Sequence, residues 1–320
     1  MKKVCSRMTM AWSQLQVKPA LREKIVLHRG WHSMGGDIRR PLENTRQAYL
    51  DASMLGVAFA ECDVWSTKDS ELVLCHDPTF ERVAQDPGCD AARTAISELT
   101  WNELCLLPLK DGSTPVRLTT VLADLITTRT RLVIEMSSTG PAAPLAQLLS
   151  RRRDLLPAVA WVMSFSMHSL KLFSEHGAPE EVRKGWLLDN PRIPYEATSL
   201  KEGETTFDYT RETLQTFLER TGWTEVVQRM KCFLYLQYHP SLTTPQLSEI
   251  REELRYVLEE TSAADVPSAE VVRDCALGLW SDIDLDPRMD TEAAFDHLID
   301  AVDFINSDMP DTFWKAAQVH

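Results

Sequence analysis

The sequence predicts an α/β fold in which parallel strands, separated by helices, close into an eightfold barrel. Three observations carry this expectation. Short apolar runs alternate with stretches of helical period from about residue 24 onward, the pattern of βα units on a parallel sheet. The apolar runs are Lys24–Leu27, Val57–Val64, Leu72–Cys75, Arg131–Ile134, Val159–Phe165, Gly185–Leu188, Cys232–Leu236, Cys275–Trp280 and Val302–Ile305, which suits eight barrel strands with Leu72–Cys75 as an accessory. Finally, 320 residues of which 44% are hydrophobic suffice for one large core of this kind.

Taken in order, the first run ends in the polar cluster His28-Arg29-Gly30. The next helix begins near Asn44-Thr45, both good N-cap residues, places Ala48, Ala52 and Leu55 on one face, and stops at Gly56. The second run carries Glu61 and Asp63, the third stops at His76-Asp77 and the fourth at Glu135. Helical stretches such as Leu145 to Arg153 and Leu247 to Glu260 separate several of the later runs. Two long segments break the rhythm, 77–120 and 190–230, and read as insertions on the loop faces, the second with helical content around Thr210 to Arg220. The expected organisation is a TIM (β/α)8 barrel over 24–315 with these loop insertions, preceded by an N-terminal extension, 1–23.

Composition narrows the function. Lys and Arg total 34 against 47 Asp and Glu, a formal charge of −13, and the basic residues are scattered, so nucleic acid is an improbable partner. Seven cysteines form no Cys-x-x-Cys pair and their odd count suits reduced thiols, hence a cytoplasmic protein. Arg7, Ser13, Gln14 and Gln16 interrupt any apolar signal segment, and no run approaches the ~18 apolar residues of a membrane span.

The chemistry is concentrated at strand ends. Glu61 and Asp63 are two residues apart, so a strand turns both carboxylates to one side. Facing a barrel interior, they repel one another, and a hard cation such as Mg²⁺ or Ca²⁺ relieves the repulsion, with Glu135 as a third oxygen ligand. A solvent-facing pair at a strand end is the competing reading. His28 and His76 each follow a buried-strand pattern, and strand ends far apart in sequence meet at a barrel mouth. Imidazole changes charge near neutral pH, so the two suit general acid and base beside a metal, while Arg29 presents a fork for phosphate oxygens. The residues alone lead to a metal-assisted hydrolase or lyase acting on an anionic ester. Cys62 and Cys75, on alternate strand positions, are expected to pack away from the mouth.

The motifs His28-Arg29-Gly30, Pro41-Leu42-Glu43-Asn44-Thr45, Glu61-Cys62-Asp63-Val64-Trp65-Ser66-Thr67-Lys68-Asp69 and Leu72-Val73-Leu74-Cys75-His76-Asp77 resemble, in order and spacing, the signature of glycerophosphodiester phosphodiesterases. The resemblance extends more weakly to Pro310. It implies hydrolysis of glycerophosphodiesters, such as deacylated phospholipids, to an alcohol and glycerol 3-phosphate with one divalent cation. Glu61, Asp63 and Glu135 would hold the metal, His28 and His76 would form the acid/base pair, and Arg29 would hold phosphate. Glu43 would touch the metal or orient Arg29 and His28. Trp280 and Phe165 are expected to wall the pocket, with core packing as the alternative. The sequence departs from the family at Leu42, at the 190–230 insertion, and at Ser137, where members commonly carry Lys. Two other activities fit the same residues: a lyase releasing a cyclic phosphate from a lysolipid or sphingolipid, and a non-catalytic barrel that binds phosphate esters.

Overall fold

A computed structural model describes residues 23–33, 40–189, 207–209, 211–237, 242–259, 276–280 and 301–307. The expected N-terminal extension up to residue 22, and with it Cys5, lies outside the described residues, as do 190–206 of the second insertion, Cys275, His239, His297 and His320.

Eight parallel strands close on themselves: β1 (Ile25–Leu27), β2 (Phe59–Ser66), β4 (Arg131–Met136), β5 (Val159–Ser164), β6 (Arg183–Leu188), β7 (Phe233–Gln237), β8 (Leu277–Trp280) and β9 (Phe304–Ser307). Closure comes from β1, which pairs with β2 on one side and β9 on the other. The accessory strand β3 (Leu72–Leu74) lies antiparallel on the outer end of β2. The barrel is a TIM (β/α)8 fold.

Side-chain parity builds two cores from the same strands. On β2, Ala60, Cys62 and Val64 face outward into the large layer between sheet and helices, where they meet Leu132, Ile134 and Met136 of β4. The helices supply the other half of this layer: α1 (Arg46–Leu55) through Ala52 and Leu55, α4 (Leu118–Leu125) through Val121 and Leu122, α5 (Ala142–Arg151) through Leu145 and Leu149, and α6 (Met167–Glu175) through Leu170 and Phe173. Helices α7 (Leu214–Thr221), α8 (Thr224–Met230) and α9 (Thr244–Glu259) complete it among the described residues. On the inner side, Phe59, Trp161, Phe233, Tyr235 and Phe304 fill the barrel. Trp161 sits with its ring centre 4.4 Å from that of Phe304 and 4.9 Å from that of Phe59. Room for this plug comes from Gly278, where a Cβ would stand 2.3 Å from the Tyr235 ring.

The segment expected as an insertion, 77–120, builds a core of its own. Its short helices α2 (Asp90–Arg93) and α3 (Trp101–Leu104) pack with Phe80, Val83, Ala84, Ile96, Leu107 and Leu109 against Val73 and Cys75 of the accessory strand region. It ends sooner than expected, since α4 begins at Leu118 and belongs to the barrel layer. Other boundaries also moved. β2 continues to Ser66 and β4 to Met136, so Glu135 lies within a strand and not past its end. The helix expected near Thr210 starts at Leu214 behind Thr213, whose side chain accepts from the Thr216 N–H.

Candidate active site

Strand register brings the predicted acids together. Asp63 of β2 stands beside Glu135 of β4. On the other side of β2, Leu27 pairs with Ala60, so the next residue, His28, falls beside Glu61. Parity turns Glu61 and Asp63 inward above Phe59, and both are buried, while Glu135 is partly buried. One carboxylate oxygen from each of Glu61, Asp63 and Glu135 lies within 4.8 Å of the other two.

The loop after β1 is shaped to serve this cluster. Arg29 takes the left-handed conformation at φ 52°, which costs an ordinary residue roughly 1–2 kcal/mol. The conformation aims the Arg29 N–H at Glu61 Oε2, 2.8 Å away, and its Nε lies 3.5 Å from Asp63 Oδ2. Gly30 follows at φ +82°, where a Cβ would lie 2.9 Å from that of Ala48. His28 Nε2 is 3.8 Å from Glu61 Oε2, and the His28 N–H donates to Ser307 O at 3.1 Å.

Asn44, expected as a helix cap, has a different task. Thr45 occupies the cap position, and Asn44, at φ 53°, donates to Asp63 Oδ2 at 2.8 Å. Its Oδ1 accepts from the Asp63 N–H at 3.2 Å and from Tyr49 Oη at 2.8 Å. Asp63 is thereby fixed on two sides by one amide.

His76 follows β3, whose end is tied down by Cys75 N–H to Asp63 O at 3.2 Å and by Trp65 Nε1 to His76 O at 3.2 Å. Its Nδ1 is 2.7 Å from Asp77 Oδ1. Glu43 accepts from Arg29 Nη1 at 3.3 Å and does not belong to the three-carboxylate cluster. Trp280, at the end of β8, packs edge-on against Phe165 with ring centres 5.1 Å apart and donates to Leu188 O at 3.3 Å. Cys62 packs in the outer layer and Cys75 in the insertion core, both away from the acids.

Electrostatics bear on what the cluster can hold. Burial, with the charges of Asp63 and Glu135 added, pushes the Glu61 carboxyl well above its ordinary range against the pull of Arg29. Glu135 is raised in the same way, by removal from water and by Asp63. Glu61 Oε1 is buried with no hydrogen-bond partner among the described residues. An all-oxygen donor set with excess negative charge and an unmatched oxygen fits a hard divalent cation. Glu43 goes the other way: burial opposes its ionisation, but hydrogen bonds from Arg82 and the charges of Arg29 and Arg82 hold its carboxyl far below the usual range.

Sequence reasoning missed Arg82 and the tasks of Asn44 and Asp77. Asn44 before a helix reads as a cap, and Arg82 lies in a segment whose only visible feature was its length. Among the other histidines, His32 is a buried loop residue with Nδ1 3.2 Å from Gly30 O, and His168 and His176 are exposed on or just after α6.

Among known proteins, residues 28–174 match the model of the glycerophosphoryl diester phosphodiesterase family. No curated protein matches the sequence. Solved structures superpose over nearly the whole chain. A Galdieria sulphuraria protein is 19% identical with a TM-score of 0.62, over 91% of this chain and 96% of its own. A glycerophosphodiester phosphodiesterase from Thermotoga maritima is 20% identical with a TM-score of 0.54, over 91% and 96%. An Oleispira antarctica phosphodiesterase in complex with the product sn-glycerol-3-phosphate is 16% identical with a TM-score of 0.53, over 96% and 99%. At such identities the superposition speaks for the fold, whereas the sequence match covers the site residues themselves. The span that matches the glycerophosphoryl diester phosphodiesterase model carries His28, Arg29, Glu43, Glu61, Asp63, His76 and Glu135.

Proposed function

We propose that this protein is a metal-dependent phosphodiesterase that hydrolyses glycerophosphodiesters to an alcohol and glycerol 3-phosphate. The observation that carries the reading is the cluster of Glu61, Asp63 and Glu135, with ligand oxygens within 4.8 Å of one another, flanked by His28 and Arg29 at the mouth of a barrel. The family-model match over residues 28–174 and the structural likeness to the product-bound Oleispira antarctica phosphodiesterase support the substrate class.

Glu61, Asp63 and Glu135 are the residues that would hold the cation, and their oxygen donors favour Mg²⁺ or Ca²⁺ over softer metals. Such a cation, when bound, neutralises charge on phosphate oxygens and polarises the phosphorus toward attack. Arg29 binds a phosphate oxygen and Glu43 orients its guanidinium, 3.3 Å away. His28 and His76 are the acid/base pair: one takes the proton of the attacking water as the new P–O bond forms, and the other gives a proton to the alcohol oxygen as the old bond breaks. Asp77 fixes the ring of His76 by its contact with Nδ1, which leaves Nε2 for proton transfer. Trp280 and Phe165 wall the side of the mouth where β5 and β8 end.

The test is product analysis by phosphorus NMR with glycerophosphocholine, glycerophosphoethanolamine and lysophosphatidylcholine, each with Mg²⁺, Ca²⁺ or EDTA. Metal-dependent release of glycerol 3-phosphate is the expected result. A cyclic phosphate formed from the lysolipid would replace hydrolysis by the lyase reaction, and no product from any substrate would overturn the enzymatic reading.

A further inference from the structure

Arg82 belongs to the insertion after β3, yet it joins both loops that carry the proposed chemistry. All three of its guanidinium nitrogens are engaged: Nε donates to Asp77 Oδ2 at 2.6 Å, Nη1 to Glu43 Oε2 at 2.9 Å and Nη2 to Glu43 Oε1 at 2.6 Å. Beyond these acids stand His76, whose Nδ1 is 2.7 Å from Asp77 Oδ1, and Arg29, whose Nη1 is 3.3 Å from Glu43 Oε1. One continuous chain of charged hydrogen bonds therefore runs from His76 through Asp77, Arg82 and Glu43 to Arg29.

An isolated ion pair at a protein surface contributes little, and the Arg82 side chain is 45% exposed. This arrangement differs in two respects. Glu43 is only 12% exposed, and the fork grips both its oxygens while a third bond reaches a second acid, which fixes geometry at both ends. The backbone beneath the side chain is also anchored. Phe80, Val83 and Ala84 are buried in the insertion core, Lys110 Nζ donates to Arg82 O at 2.5 Å and the Lys110 N–H donates to Val83 O at 3.0 Å. With every nitrogen committed to an acid, Arg82 is not placed to bind a phosphate.

We propose that Arg82 is a positioning residue, a strut by which the insertion holds His76 and Arg29 in fixed relation across the mouth. This rests on the reading of the site as a phosphodiesterase centre. The insertion then has a purpose in the reaction: its small core sets the strut, and the strut sets the orientation of an imidazole and a guanidinium that belong to different loops. A lysine cannot replace it, because a single ammonium has no planar fork to span two carboxylates.

The test compares the full-length protein with Arg82→Ala and Arg82→Lys, in saturating divalent cation, by steady-state kinetics and by nitrogen NMR of the His76 ring. We expect Arg82→Ala to lower kcat on the order of 10- to 100-fold with a smaller change in KM, as for groups that orient a catalytic shell, and Arg82→Lys to recover only part of the loss. The His76 ring should give the signals of an Nδ1–H tautomer in the wild type and of a tautomer mixture in Arg82→Ala, while the cation-induced rise in Tm persists. Kinetics within twofold of wild type in Arg82→Ala would overturn the proposal, as would a loss of turnover with unchanged His76 ring signals. Should Arg82→Ala not fold, Arg82→Lys carries the same comparison. Should the wild type turn over no phosphodiester, the assigned activity fails, and the ring signals alone decide the strut: a change on substitution sustains it and constancy refutes it.

Discussion

Glu43 and Glu61 lie in the same mouth and titrate in opposite directions because their neighbours differ in sign. Glu43 is surrounded by Arg29 and Arg82, so its ionised form is favoured in the folded state in spite of burial. Its folded pKa is depressed below the ordinary 4.5, so its contribution is fully present above that value and declines as the pH falls below it. Glu43→Gln should therefore cost about 2 kcal/mol near pH 7, the scale of charge-assisted hydrogen bonds lost from a largely buried group. The gap from wild type should narrow steadily between pH 5 and pH 3 in urea titrations; a gap independent of pH would refute the assignment. Glu61 sits instead among Asp63 and Glu135 and lacks a partner on Oε1. Glu61→Gln removes one of three crowded acids yet keeps an oxygen for the Arg29 N–H, so the metal-free variant should melt no lower than wild type at neutral pH while its turnover is abolished. Calorimetry in EDTA with a parallel activity assay checks both halves.

At the scale of elements, β2 is used on both faces and at its far end. Its outward residues pack the helices, its inward residues carry Phe59 and the acids, and its last turns pair with β3 to place His76. The aromatic plug beneath the acids requires small residues on the facing strands. At Gly278 a Cβ would press on the Tyr235 ring at 2.3 Å, so Gly278→Ala should destabilise the barrel by about 1–3 kcal/mol through forced repacking. A midpoint unchanged in guanidinium unfolding would show that β7 and β8 slide past one another more easily than the packing suggests. The insertion is a separate small core that presents Arg82 to Glu43 and Asp77. Phe80 is 1% exposed at its centre, and Phe80→Ala should raise hydrogen exchange across the insertion while the barrel strands keep their protection.

For the molecule as a whole, the closed barrel gathers residues from 28 to 135 at one mouth. A cation bound there links folding to metal. At a concentration 100 times its Kd, a ligand of the folded state alone stabilises by about 2.7 kcal/mol. Adding Mg²⁺ or Ca²⁺ at that excess should raise Tm by several degrees in the wild type, and by far less in Glu61→Gln or Asp63→Asn. Equal shifts in all three proteins would place the cation elsewhere. Among the described residues no helix is long and apolar enough to cross a membrane.

The sequence by itself determined the strand inventory and marked the acids and histidines as candidates. Strand periodicity and apolar runs are local signals, and the spacing of Glu61 and Asp63 and the place of His76 after an apolar run are read without the fold. Only the tertiary structure decided which partners those residues take. Asn44 reads as a cap until β2 brings Asp63 within 2.8 Å of its amide, and Arg82 reads as one of many surface arginines until the insertion core turns it onto Glu43 and Asp77. The physical reason is the range of the forces involved: backbone preference and hydrophobic period act over a few neighbouring residues, whereas a hydrogen bond between positions 39 apart in sequence exists only once the chain between them has folded.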